Sequence, residues 1–565
     1  MIFELISWIY ISLVCLIWGN WFLKLVFGIQ DVSVIDFPVI CFIGMSVFGI
    51  VTFYLSLTGP LFPVIKLGLQ VPTLLTLVKE GNRKGIISQL KNGFGHFTAL
   101  DFTFLTISIL MVLVISSAPV IHPDTLNYHA FSTQIFDHFG VVPGIANLRP
   151  EFGFQSMWFA ALAFFHFSFS DGILIFPLNG CVMAWVIVFL VSGAAGNKRA
   201  FTSPNTMSKR IWYLVLILFA ILSWTQIRLT ASSLSPDFIA TISVLLAFYF
   251  FSGARGLRQR EHSDLVAAFF SAVAVSIKLS AIPVLLIPCI IAGFWLTRKK
   301  YLIVVRIGLL LTLLLTPMLI RNFISTGYPV YPSTFAAFYK ADWTLEKADV
   351  LDFQKYITAY ARYPVLRSQS VREYDKSLVD WLPLWWDHLY IVDRVLMIVV
   401  ISGVLLNVFF LRKVRRAYSR RLSAGLLVAM LGTGFWFVNA PDPRFGTGFI
   451  IPFVYFLYFP FVEYWTENRA KFIRKVQNGI VKNATLLILI YTGYRSIYFF
   501  HPRQLILPEG IKQISNAQED CDAKIKKMVL SNTIPRPPLA DSCMFFRFRG
   551  TTIKQGFAPV RDLLH

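Results

Sequence analysis

The sequence predicts an all-α, polytopic membrane protein. Its 565 residues are 56% hydrophobic, and the mean hydropathy is +0.63. Apolar runs near twenty residues, each long enough to cross the hydrocarbon core of a bilayer, recur about fifteen times along the chain. The first run is too long, and too poorly followed by small residues, for a cleaved signal peptide. We therefore expect about 13–14 membrane-spanning helices.

The net charge of +22 would suggest a nucleic-acid partner in a soluble chain. Here the basic residues lie in short loops between apolar runs. This pattern is typical of the cytoplasmic loops of a membrane protein and of contact with anionic lipid. The lipid bilayer is therefore the expected partner, and nucleic acid is not.

The basic stretches predict which loops face the cytoplasm. They are residues 79–91, 196–210, 253–260, 298–300, 412–421 and 468–477. The segments between them are expected outside: 122–154, 228–237, 277–281, 321–393, 439–446 and the tail 501–565. From residue 196 onward the crossings alternate without conflict.

Three regions do not follow this alternation simply. Two apolar runs lie between residues 154 and 196, so the shorter one, 155–169, is expected to be a partial or tilted helix. Residues 30–36 carry two Asp and no basic residue, which favours the outside. The run 61–78 contains Lys66, Gln70 and Pro72, which favours an interfacial segment.

The stretch "IHPDTLNYHA" (121–130) places unusual chemistry at the end of an apolar run. It contains Asp124, Asn127, Tyr128 and His129, and ionisable groups at membrane depth are functional candidates. His129 also fits a plain interfacial imidazole. His122 and Pro123 are interpreted as ordinary helix-exit residues.

Other ionisable residues collect on the same predicted outer face. They are Arg149, Glu151, Arg228, Asp237, Lys278, Arg321, Asp442 and Arg444. Each has a simpler interpretation: Arg and Lys at helix ends also reach lipid headgroups. Asp237 also fits the first turn of a helix that Ser235 would cap.

Lys278 lies where two apolar runs of about sixteen residues meet. Helices this short place the lysine below headgroup level, facing a cavity, and a buried ammonium needs an anion. Because three arginines, at 228, 321 and 444, are expected at the same face, we predict that the anion is a phosphate.

Aromatic residues are concentrated in the outer loop 321–393. Residues 321–332 contain Tyr328 and Tyr331, and residues 380–393 read "DWLPLWWDHLYIVD". The second segment predicts a helix lying along the membrane interface, where Trp and Tyr anchor. An aromatic platform beside a sugar or lipid chain is the alternative.

Five segments together resemble the GT-C superfamily of integral-membrane glycosyltransferases. An acidic residue in the first large outer loop is that family's hallmark, and "HPDTLNYH" looks like that site. The others, in the family's order, are "LSPDF", "SIKLSAIPVLLIP", "RNFISTGYPVYP" and "NAPDPRFGTGFIIP". The likeness spans about 120–450 and divides the chain into N-terminal membrane helices (1–98), a GT-C-like catalytic domain (99–500) and a small extracytoplasmic tail (501–565).

The resemblance implies an inverting sugar transfer from a polyprenyl-phosphate donor on the extracytoplasmic side of the cytoplasmic membrane. Asp124 would be the general base. The donor phosphate would meet Lys278, Arg321, Arg444 and Arg228. The acceptor would be a glycan, lipid or protein. The expected substrate-binding residues are Asn127, Tyr128, His129, Arg149, Glu151, Asp237, Tyr328, Tyr331 and Asp442.

A divalent cation stays open as a cofactor. Several GT-C members carry adjacent acidic residues in the first loop, whereas Asp124 has no acidic neighbour. The sequence shows no metal-ligand spacing and no nucleotide-binding loop.

The tail contains Cys521 and Cys543. In an oxidising compartment these two would pair across their short interval. We expect the tail to cap the outer face; contact with the acceptor is the alternative.

Two other functions remain open. An O-antigen polymerase or ligase would share the lipid-linked donor but depends on arginines in a large late loop, for which 321–393 is long enough. A flippase or transporter of an anionic lipid places charges at mid-membrane within repeated halves. No such repeat is visible, and the charges here gather at one face.

Overall fold

The computed structural model describes most of the chain. The described residues are 1–32, 35–95, 97–169, 173–196, 224–253, 257–337, 339–362, 376–410, 418–461, 490, 493–494, 500–512, 546–548 and 553–559. They are mostly helical. The helices are α1 (Ile2–Leu25), α2 (Phe37–Thr58), α3 (Pro63–Leu75), α4 (Glu80–Phe94), α5 (Ala99–Ser116), α6 (Ala130–His138), α7 (Met157–Phe164), α8 (Leu178–Gly196), α9 (Trp224–Thr230), α10 (Asp237–Gly253), α11 (Leu257–Ile277), α12 (Leu286–Thr297), α13 (Tyr301–Thr326), α14 (Lys347–Arg362), α15 (Leu378–His388), α16 (Ile391–Phe409), α17 (Arg420–Asn439) and α18 (Pro443–Phe461).

Eight helices in the described part of the chain are long and apolar enough to cross a membrane. They are α1, α2, α5, α13, α16, α17, α18 and the segment Leu279–Thr297, which joins a 3-10 turn to α12. Shorter apolar helices cover Pro63–Val78, Leu178–Gly193 and Asp237–Gly253. The prediction of an all-α multi-pass membrane protein is confirmed at this level.

One face of the helix bundle is marked by the N-terminus and the tail. The Met1 amine donates to the backbone oxygen of Gln504 at 2.6 Å, and the Glu509 N–H donates to the backbone oxygen of Ser117 at 3.1 Å. Met1, the end of α5 and residues 500–512 therefore share a face, which we call the loop face. The loop that follows α5 begins here.

The described residues of the acidic segment 30–36, which are 30–32 and 35–36, lie at the opposite face, because α1 starts at the loop face and runs away from it. There Asn20 and Gln89 exchange side-chain hydrogen bonds of 3.0 and 2.9 Å, which join the end of α1 to basic α4. The expectation that 30–36 shares the side of loop 122–154 is therefore wrong. Asp residues in a short loop carry little information on orientation, whereas Lys and Arg carry most of it.

The run 61–78 also differs from its prediction. Lys66 pairs with Asp137 of the first loop at 2.6 Å, whereas Thr73 accepts a hydrogen bond from the Trp18 indole at 2.8 Å. Because Trp18 lies more than halfway along α1, this segment descends from the loop face into the bundle. It does not lie flat on the surface.

Helix α7 is the partial helix that the sequence predicts. It has eight residues, all buried, and a helix of that length spans only about 12 Å. Just beyond it, His166 approaches Asp137 at 3.5 Å, so the chain returns to the loop face.

The described parts of the tail are built into the loop face. Strand β3 (Ile511–Lys512) pairs with β2 (Ile173–Ile175), which pairs with β1 (Phe167–Ser168). A second sheet joins β4 (Phe546–Phe548) to β5 (Phe557–Pro559), and Phe557 is completely buried against the first loop. These described segments pack against the loop face, and a role of the whole tail as a cap stays a prediction. Cys521 and Cys543 lie outside the described residues.

Candidate functional site

Asp124 lies at the entrance to a single π-helical turn, Thr125–His129. Such turns are rare and frequently occur at functional sites. The Thr125 hydroxyl accepts a hydrogen bond from the Leu234 N–H at 3.4 Å, which joins this turn to the bend before α10. The side chain of Asp124 is 28% exposed, and no group among the described residues donates a hydrogen bond to its carboxylate. The carboxylate is therefore open to an incoming proton donor.

Arg444 is the cation nearest to Asp124 in the described structure. Its Nη1 lies 3.9 Å from Asp124 Oδ2, while its Nε and Nη2 donate to Asp442 Oδ2 at 3.0 and 2.9 Å. The Arg444 backbone N–H also donates to Asp442 Oδ1, at 3.0 Å. Asp442 therefore fixes the guanidinium, and one edge of it faces Asp124.

Lys278 pairs with Asp237 across the same cluster. Its ammonium donates to Asp237 Oδ1 and lies 3.5 Å from the centre of the Phe445 ring. The lysine was predicted to need a phosphate as its anion. Asp237 already supplies an anion, so Lys278 shares its charge between a carboxylate and any bound ligand.

A pocket opens beside these pairs. Its volume is about 280 Å³, including the space at its mouth. Asp237, Lys278 and Arg444 are its charged lining residues, and mostly apolar residues of α10, the 3-10 turn and α18, with Thr241 and Ser280, form the remainder. The charged cluster therefore borders an open space.

His122 belongs to this site, although the sequence was interpreted as giving it no role. It is 3% exposed; its Nδ1 accepts the Asp124 backbone N–H at 3.2 Å, and its Nε2 lies 3.5 Å from Arg444 Nη1. Burial lowers the pKa of His122, and the neighbouring carboxylates of Asp237 and Asp124 only partly oppose this. Its position two residues before Asp124 was the only sequence signal for this contact.

His129 is buried behind His122, with their ring centres 5.5 Å apart. Its Nδ1 has no hydrogen-bond partner in the described structure. Burial lowers the pKa of His129 well below its usual value, and the nearby His122 lowers it further. His129 is therefore a neutral imidazole.

Four further predicted substrate residues lie in the first loop. The Tyr128 ring contacts that of His129 at 4.3 Å, and burial together with the Asp124 carboxylate raises the pKa of Tyr128 well above its usual value. Asn127 is exposed on the same turn. Arg149 Nε pairs with Glu151 at 3.0 Å, which leaves this pair partly buried.

Tyr328 and Tyr331 are placed differently from their prediction as substrate contacts. Both are buried, and their hydroxyls donate to the backbone oxygens of Leu345 at 3.1 Å and Pro150 at 2.9 Å. The Tyr331 hydroxyl therefore joins the outer loop to the first loop, whereas the Tyr328 hydroxyl bonds within the outer loop.

Arg321 is also placed differently from the predicted phosphate contact. It is 1% exposed, and its three guanidinium nitrogens donate to Gln155, Ser56 and the Gly140 backbone at 2.7–3.1 Å. A guanidinium so fully bonded joins α13 to α2 and the first loop. Buried Arg228 donates from Nη2 to the backbone oxygen of Pro119 at 3.4 Å.

The Trp-rich helix α15 supports the segment that carries Asp442 and Arg444. The Trp385 indole of α15 donates to the backbone oxygen of Pro441 at 2.7 Å. The Trp436 indole, which belongs to α17, donates to the backbone oxygen of Asp442 at the same distance. Trp381 and Trp385 are buried against protein, and both predicted roles of this helix, an interfacial anchor and a platform beside a sugar or lipid chain, stay predictions.

Among the described residues, no group of three or more His, Cys, Asp or Glu side chains is arranged to hold a metal ion. The three carboxylates of the site instead face cations of the protein. Asp237 pairs with Lys278, and Asp442 and Asp124 both face Arg444.

A protein-family model described as "Domain of unknown function (DUF8201)" matches residues 1–451. The match takes in the N-terminal helices and every residue of the charged cluster. No curated protein matches the chain. No solved structure matches it either.

Proposed function

The chain belongs to the DUF8201 family, and we propose that it is a GT-C-type membrane glycosyltransferase. It would move a hexosyl or pentosyl group from a polyprenyl-phosphate donor to an acceptor hydroxyl, with inversion. The observation that supports this most is the placement of Asp124, an open carboxylate 3.9 Å from Arg444, which in turn lines a pocket.

The acid–base step would use Asp124 alone. As the acceptor oxygen attacks the anomeric carbon, Asp124 takes the hydroxyl proton. The bond between that carbon and the phosphate oxygen breaks, and polyprenyl phosphate leaves with the electron pair. The sugar is transferred once, so its anomeric configuration inverts.

The leaving phosphate gains negative charge, and fixed cations beside it would lower the barrier. Arg444 and Lys278 suit this role because each is held by an aspartate and borders the pocket. Arg321 is left out of the mechanism because its nitrogens are bonded to protein groups. No step requires a divalent cation.

A site at the loop face also suits a lipid-linked donor. The prenyl chain would stay in the bilayer while its phosphate reaches the charged cluster. The loop face with its tail would then be extracytoplasmic, since basic α4 lies at the opposite face. In this proposal the protein would lie in the cytoplasmic membrane and build a cell-envelope glycan on a glycan, lipid or protein acceptor.

The rival functions receive less support. The acidic residue Asp124 in the first loop does not favour an arginine-based polymerase or ligase. Of the arginines in loop 321–393, Arg321 is used in packing and Arg362 lies over the Trp381 ring at 4.7 Å, whereas Arg367 and Arg372 lie outside the described residues. The charged cluster lies at one face, which does not favour a transporter.

The test is transfer by purified protein in detergent, where transport cannot be scored. A panel of radiolabelled polyprenyl-phosphate sugars is incubated with wild type, with Asp124→Asn and with the control Asp352→Asn, whose carboxylate is 68% exposed on α14. We expect consumption by wild type and the control, and at least a hundredfold loss in Asp124→Asn. Wild-type turnover in Asp124→Asn, or no consumption of any donor, would contradict the proposal.

A further inference from the structure

The protonation of His122 follows from its neighbours. A backbone N–H can only donate, so Nδ1, 3.2 Å from the Asp124 N–H, must be the acceptor. A neutral imidazole has one ring proton, which must then be on Nε2. Burial lowers the pKa of His122 and keeps it neutral near pH 7.

The contact between His122 and Arg444 therefore joins two donors. Nε2 carries a proton, and a guanidinium nitrogen cannot accept one. The two atoms are 3.5 Å apart, and no acceptor among the described residues lies within hydrogen-bond distance of Nε2. A buried donor without an acceptor is costly, so the pair is built for an acceptor supplied from outside the protein.

We propose that His122 Nε2 and Arg444 Nη1 together bind one anionic oxygen of a phosphate ligand. An oxygen about 2.8 Å from both nitrogens fits donors at this separation. It would lie beside Asp124, since the same Arg444 nitrogen faces that carboxylate. That the phosphate is the donor's rests on the proposed function, whereas the anion site itself does not.

His122 also links the base to the anion site. Its Nδ1 holds the Asp124 backbone while its Nε2 faces the oxygen, so one ring sets the distance between the base and the phosphate. Lys278 and Asp237 supply the remaining charges around the ring.

The experiment measures binding, without turnover. Polyprenyl phosphate carrying no sugar is titrated into the purified protein in detergent by calorimetry, and inorganic phosphate is titrated separately. His122→Leu removes the donor, His122→Gln keeps an N–H donor, and His388→Leu, at an exposed position of α15, is the control. We expect Kd to rise about tenfold or more in His122→Leu, less in His122→Gln and not at all in the control.

The two ligands distinguish the sources of the anion. A His122-dependent Kd for polyprenyl phosphate alone assigns the site to a lipid headgroup, and the same dependence for both ligands assigns it to phosphate in general. Unchanged affinity for both ligands in His122→Leu overturns the proposal. If that variant does not fold, His122→Met replaces it as the variant without a donor. Binding that depends on His122, in a protein that transfers no sugar, would support the anion site and contradict the proposed transferase activity.

Discussion

Lys278 and Asp237 form an ion pair between the start of α10 and the end of α11, and both line the pocket. Both side chains are largely buried, so removing one partner leaves the other charge without compensation. We expect Asp237→Asn to lower the free energy of unfolding by roughly 1–3 kcal/mol. The double variant Asp237→Asn with Lys278→Met should recover part of that loss in a thermal-melt comparison.

The matched control for this pair is Glu80→Gln. Glu80 pairs with Lys84 at 2.7 Å, but both side chains are well exposed. A solvated pair of this kind contributes about 0–1 kcal/mol. An equal loss of Tm in Asp237→Asn and Glu80→Gln would show that burial of the Lys278–Asp237 pair does not increase its contribution to stability.

The Trp385 indole fixes the segment ahead of Arg444 through its hydrogen bond to Pro441. Trp385→Phe keeps a buried ring but removes this bond, which contributes about 1 kcal/mol. We expect a small fall in Tm and a larger fall in kcat for transfer, because Arg444 is less well positioned. Trp386→Phe on the same helix is the control, and equal kcat values in the two variants would exclude a positioning role for Trp385.

The helices and the cluster members Asp124, Asp237, Lys278, Asp442 and Arg444 could be predicted from the sequence. Long apolar runs, and charges expensive in lipid, are both local signals. The pairing of Lys278 with Asp237 was not predictable, since it depends on how α10 and α11 pack.

Other site features also depend on contacts distant in sequence. Arg321 was predicted to bind phosphate from its position after an apolar run. Its partners Ser56 and Gly140 are more than 180 residues away, so nothing local shows that it is bonded. His122 was missed for the same reason, because its role depends on Arg444.

Phe557 joins the tail to the first loop. Its ring is completely buried among Phe131, Phe139 and Phe152, and its N–H donates to the backbone oxygen of Pro143 at 3.0 Å. We expect Phe557→Ala to cost about 3–5 kcal/mol and to lower the Tm strongly. Phe335→Ala, at a position 80% exposed, should be nearly neutral; a similar Tm for both variants would mean that the tail does not support the loop.

Helices α1 and α2 cross at Gly19 and Gly44. A Cβ on Gly44 would lie 1.7 Å from the backbone oxygen of Cys15, so alanine cannot fit without moving a helix. We expect Gly44→Ala to reduce the yield of folded protein severely, as measured by size-exclusion chromatography in detergent. Gly68→Ala meets no atom within 4 Å and serves as the control. Equal yields for the two variants would contradict this crossing.

His129 makes stability depend on pH in a direction set by its lowered pKa. His122, Lys278, Arg444 and Asp237 surround it electrostatically, and burial is the largest cause of the shift. The unfolded chain takes up a proton on this residue near pH 6.5, whereas the folded protein does so only at much lower pH. Stability is therefore full above pH 6.5 and falls as the pH drops below it, because the unfolded state then binds more protons.

His129→Phe removes this titration while keeping a ring of similar size. Thermal melts of both proteins between about pH 5 and 8 should show a shallower acid-side fall in the variant. His166 remains in both proteins and contributes equally, whereas His122 interacts with His129, so the difference in slope reports position 129 together with its effect on His122. Parallel curves would mean that His129 is protonated at the same pH in the folded and unfolded states, and would contradict its burial as a neutral imidazole.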